Sequence, residues 1–107
     1  MTRRSKWTLD EVVTLLNGHH QRATYGAIAK VVGRSPRGLM RGRHNPHENS
    51  WVVAKTTNRQ LGSRRGWPTM FRPEDLHPEC RRQIEDGLDN IIDDATELRR
   101  WLRERCN

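Results

Sequence analysis

Residues 33–37 read Gly-Arg-Ser-Pro-Arg, a helix stop followed at once by a helix start. Gly33 suits the left-handed position that closes a helix, Ser35 stands as an N-cap, and Pro36 follows at the first helical position. Upstream, Thr24 is placed to cap the segment TYGAIAKVVG, whose Ile28, Ala29, Val31 and Val32 share an inward face. Downstream, SPRGLMRGRH carries Arg37, Arg41 and Arg43. Two short helices joined by a glycine-containing turn, the second dense in arginine, form the helix-turn-helix pattern. Gly38 and Gly42 each weaken that second helix by about 1 kcal/mol relative to alanine. In exchange they let its backbone approach another surface closely.

The other elements are read around this pair. Thr8 and Glu11 form a capping box at the start of WTLDEVVTLLNG, with Gly18 as its C-cap. Trp51 to Ala54 is a short β candidate, to be paired with residues near Gln60 and Leu61 across KTTN. TMFRPEDLHPEC is loop punctuated by proline. From Pro78 to Arg105, Ile84, Leu88, Ile91, Ile92, Ala95, Leu98 and Leu102 step by three and four, giving one long helix or two with Gly87 as the breaking point. The expectation is a mainly α, winged-helix-like domain with a short β segment and a C-terminal helix. At 107 residues it is a single domain.

Charge divides the chain unevenly. Residues 1–73 carry 14 basic and 3 acidic side chains, a net of +11, and residues 74–107 carry 6 and 10, a net of −4, which together make the +7 of the whole. The expected organisation is a basic helix-turn-helix core over 1–73 with an acidic, amphipathic helical region over 74–107 packed on it. A cationic field that coincides with a helix-turn-helix favours nucleic acid. Arginine's planar fork suits phosphates and base edges better than an ammonium does. No segment joins the basic face to a continuous apolar one, which disfavours a membrane-surface role. Cys80 and Cys106 lie far apart with no leader or apolar run before them, so two free thiols in a reducing, cytoplasmic setting are expected. His19, His20, His44, His47 and His77 show no paired ligand spacing, and no metal or cofactor is expected.

ATYGAIAKVVG, SPRGLMRG and NPHENSW resemble, in order and spacing, the DNA-binding domain of the O6-alkylguanine-DNA alkyltransferases, and more closely their non-enzymatic relatives, the alkyltransferase-like proteins. The similarity covers roughly residues 9–63, with RRQIEDG at 81–87 as a further short match. It implies a DNA-binding protein without catalysis that turns a modified nucleotide out of the duplex. Tyr25 matches the tyrosine that crowds a DNA phosphate, and Arg37 the arginine that fills the vacated space. Arg41 and Arg43 follow on the same helix, and Asn45 shapes the turn after it. Trp51 stands where the enzymes have their alkyl-accepting cysteine, in the wall of a base-sized pocket. Ser35, at a helix N-terminus, and the loop residues Arg64 and Arg65 complete the expected DNA-binding set.

The chain departs from the family in one respect that bears on chemistry. The histidine and arginine that follow the family's cysteine or tryptophan are Val52 and Val53 here, and neither cysteine falls in that stretch. A thiol without a neighbouring base or cation is a poor nucleophile, so alkyl transfer is not expected. The alternative reading is a dimeric helix-turn-helix regulator joined through its C-terminal helix. A protein partner recruited by the acidic tail is a third. RHNPHEN lacks the strands and the second ligand cluster that a metal-dependent nuclease needs.

Overall fold

The computed structural model describes residues 7–35, 38–43, 45–58, 60, 63–68 and 71–105. Helix α1, Leu9–His19, starts with the expected capping box. The Thr8 hydroxyl accepts the Glu11 N–H at 3.2 Å, and the Glu11 carboxylate accepts the Thr8 N–H at 3.0 Å. Trp7, just before the cap, is buried under the first turn. The helix ends later than expected, because His20 rather than Gly18 takes the left-handed position, at φ 53°.

A short strand, β1 (Arg22–Thr24), runs directly into α2 (Tyr25–Val32), and the Thr24 side chain accepts the Ala27 N–H at 3.3 Å. Gly33 closes α2 at φ 74°, as its position indicates. A four-residue helix α3 (Pro46–Asn49) precedes β2 (Val52–Val53). After a 3-10 turn at Pro73–Asp75 come α4 (Pro78–Glu85), β3 (Ile91–Ile92) and α5 (Ala95–Arg105). The strands form one parallel sheet in the order β2-β1-β3, with Ala23 opposite both Val52 and Ile92. Parallel pairing requires crossovers on the sheet faces, which the intervening helices supply. The core is filled by Val12, Val13 and Leu16 of α1, Ile28 and Val31 of α2, Leu98 and Leu102 of α5, and Trp51 and Val52.

Three expectations are corrected. The second helix of the helix-turn-helix does not form over the described part of its span: residues 38–42 are turns, closed by Arg41 N–H to Gly38 O at 3.1 Å and Arg43 N–H to Met40 O at 3.0 Å. Gly38 at φ 76° and Gly42 at φ 86° hold left-handed conformations that no α-helix accommodates. Buried Leu39 and Met40 fix the segment to the core instead. The α2 half of the motif is present, while Pro36, Arg37 and His44 lie outside the described residues.

The strand at Trp51 does not pair as a hairpin with Gln60. Its four residues are all buried, and it lies parallel to β1. A strand buried on both faces belongs in a covered parallel sheet. The loop closes farther out, where Asn58 and Ser63 exchange backbone hydrogen bonds of 2.9 and 3.0 Å. Leu61 lies outside the described residues.

Finally, Ile91 and Ile92 are not part of a helical stripe. Gly87, at φ 70°, ends the α4 region, and the β-branched pair joins the sheet. Asp94 then caps α5, accepting the Glu97 N–H at 2.9 Å. The acidic third packs mainly through α5 against α2. No described helix is long and apolar enough to cross a membrane.

Candidate nucleic-acid interface

The arginines of the basic two thirds fall into three groups. Arg22 is interior: it is 2% exposed and points from β1 to loop backbone. Arg43 is half-buried, and its guanidinium is spent on the protein. Nε donates to Asn49 at 2.7 Å, Nη2 to Glu48 at 2.9 Å, and Nη1 to Asp10. This network pins the end of the 38–43 turn to α1 and α3, so Arg43 acts as a brace.

The third group is exposed. Arg34, Arg41, Arg64 and Arg72 are exposed and no described carboxylate pairs with them. Arg41 folds back over Gly38, where an added methyl would lie 3.6 Å from its Nη2. Arg64 places its guanidinium 4.6 Å from the centre of the Trp67 ring. Arg65 is intermediate in kind: it bonds Lys55 O at 2.9 Å and Asp89 at 3.1 Å, with Asp93 at 3.9 Å. Its side chain is 41% exposed and that of Asp89 76%, so the pair is worth little in water. Ser35 is exposed, and Arg37 lies outside the described residues.

Asn45 does shape the turn that leads to β2. It N-caps α3 by accepting the Glu48 N–H at 3.1 Å, and its carbonyl accepts the Asn49 side chain at 2.8 Å. Tyr25 is half-buried at the start of α2 and packs against the core.

Trp51 is placed differently from a pocket wall. It is 0% exposed, and its indole N–H donates to Asn17 Oδ1 at 2.7 Å. The His20 ring stacks on it at 5.3 Å with a 15° tilt, and the His77 ring lies 5.1 Å away at 53°. His77 also meets His20 at 5.0 Å and His47 at 5.6 Å. Burial, followed by the neighbouring His20 and His47, holds the His77 imidazole below its ordinary pKa of 6.5. Among the described residues no group of three His, Cys, Asp or Glu is set to hold a metal.

Cys80 lies beside this cluster, its thiol donating to Ser50 O at 3.4 Å. It is fully buried and free, and burial pushes its pKa up to about 11. A thiol with that pKa is protonated at neutral pH and inert as a nucleophile.

The histidine cover on Trp51 was not foreseen from sequence. Its members sit at positions 20, 47 and 77, and only the spacing of helix ends in space brings them together. A signal existed in hindsight at His77-Pro78, an N-cap and first-turn pair. The chain matches no protein-family model, no curated protein and no solved structure.

Proposed function

We propose that this protein binds duplex DNA through the arginines of residues 34–43 and 64–72 and performs no covalent chemistry on it. The observation that carries the reading is the set of exposed arginines, Arg34, Arg41, Arg64 and Arg72, in a region of net +11, with no described carboxylate to neutralise them. Phosphate contacts by such side chains supply sequence-independent affinity. Arg43 contributes by bracing the loop that carries Arg41. The buried, protonated Cys80 supports the non-catalytic part.

The alkyltransferase-like resemblance adds a finer element, a nucleotide turned out toward Trp51 with Arg37 in its place. For a base to stack on that indole, the His20 ring has to leave it first. Stacking on an aromatic recovers about 1–3 kcal/mol, comparable with part of the unstacking cost. The dimeric regulator is the weaker reading, because the apolar residues of α5, Leu98 and Leu102, are 0% exposed and already spent on the core.

The test compares affinity for a duplex containing an O6-alkylguanine with that for the unmodified duplex, using wild type, Arg37→Ala and His20→Ala. Tighter binding of the modified duplex that is lost in Arg37→Ala and strengthened in His20→Ala is expected. Equal affinity for both duplexes in all three proteins removes the lesion-sensing element and leaves general duplex binding.

A further inference from the structure

Between the loop of residues 63–68 and the stretch 87–91 lies a cleft of about 370 Å³. That is within the range of roughly 300–1,000 Å³ usual for small-molecule sites. Trp67, Leu88 and Ile91 form its walls, Arg22 closes its base, and the Arg65–Asp89 pair stands at its rim.

Three features here have no explanation in the fold. The Arg22 guanidinium is buried, yet its described partners are all neutral oxygens: Gly66 O at 2.9 Å, Leu88 O at 2.5 Å and Asn90 Oδ1 at 3.1 Å. Its Nε has no acceptor at all among the described residues. Asp89 acts on it only through space, and a buried cation without a directly bonded counter-charge is costly. Leu88, on the wall, is 44% exposed and is the large hydrophobic residue most open to water in the described chain. Trp67, also on the wall, is half-buried with Arg64 over its ring.

We propose that this cleft is a binding site for a guanine nucleotide. An anion answers Arg65 and Arg22, whose Nε has no acceptor, and a flat ring answers Trp67 and Leu88. The carboxylate of Asp89 then selects the base. When a phosphate draws Arg65 away, Asp89 is free to accept from two adjacent N–H groups, the edge that guanine presents and adenine lacks. The ligand is either a free nucleotide or one unpaired nucleotide of a strand. The proposal stands on the cleft alone and does not require duplex binding.

Full-length protein is titrated with GMP, AMP and inorganic phosphate, followed by tryptophan fluorescence, and then with a single-stranded guanine oligonucleotide in competition with GMP. GMP should bind saturably and about tenfold more tightly than AMP, the worth of one charge-assisted hydrogen bond. Asp89→Asn should erase that preference. Leu88→Glu should abolish GMP binding while leaving thermal unfolding unchanged, because Leu88 is at the surface. Displacement of GMP by the oligonucleotide identifies a strand as the source, and failure to displace it identifies the free nucleotide; both support the site. GMP bound no better than phosphate, or bound equally well by Leu88→Glu, overturns it. A protein that binds duplex but not GMP loses this site and keeps the function proposed above.

Discussion

Trp51 decides more than any other residue. As a core side chain with a bonded indole N–H, its replacement by alanine should cost about 3–5 kcal/mol in urea unfolding. Trp51→Phe keeps most of the packing but strands Asn17, and about 1–3 kcal/mol is expected. A loss below 1 kcal/mol for Trp51→Ala, on that same scale, would mean that the indole is not in the core. The imidazole of His77 makes stability depend on pH. Its pKa is lowered in the folded state, so below about pH 6.5 the unfolded chain takes up a proton that the folded chain resists, and stability falls as pH falls. Unfolding at pH 7.5 and 5.5 should show this drop, and His77→Gln should reduce it. A drop of the same size in His77→Gln would assign the effect elsewhere. Cys80 should resist a thiol reagent at pH 8 in a Cys106→Ser background until denaturant is added; labelling in the native protein would contradict its burial.

At the level of elements, the sequence was most legible where a local signal and the core agreed. The Thr8–Glu11 box, the Thr24 cap and the Gly33 stop all act within one helical turn, and all three are found as read. The errors came where a distant partner decided the outcome. Ile91 and Ile92 fit a helical stripe in sequence, but the open edge of β1 recruits them as a strand. Arg22 enters the sequence reading only as one of the basic side chains counted, and nothing local marks the burial it gains from loops at positions 66, 88 and 90. Within 38–42 the two glycines adopt φ values that side-chain periodicity does not register. Of the candidate site, Asn45 was singled out as a turn-shaping residue through the family resemblance, and the structure gives it a local N-cap, whereas the commitment of Arg43 to Asp10 and Glu48 depends on helices brought together by folding. Asn45→Ala should therefore cost about 1 kcal/mol, the usual worth of an N-cap, and should weaken DNA binding only through the loop it holds. A change in stability within error would deny it the capping role.

For the whole molecule, the division of charge is the feature that sequence alone made plain and that the fold turns into surfaces. The basic two thirds present Arg34, Arg41, Arg64 and Arg72 outward, while the acidic third contributes α5 to the core and sends Asp89 and Asp93 to Arg65. If the protein binds duplex DNA as proposed, those two carboxylates compete with phosphate for Arg65, and Asp89→Asn should raise duplex affinity modestly at low salt. Weaker binding in that variant would contradict the competition. The most direct measurement is the affinity for an unmodified duplex by fluorescence anisotropy across a salt series, for wild type and for Arg41→Ala. Four phosphate-binding arginines give a slope of log affinity on log salt of about −3 to −4, and Arg41→Ala should make it shallower by about 0.9. Binding that does not change with salt, or no binding at low salt, would contradict a DNA-binding role for the exposed arginines.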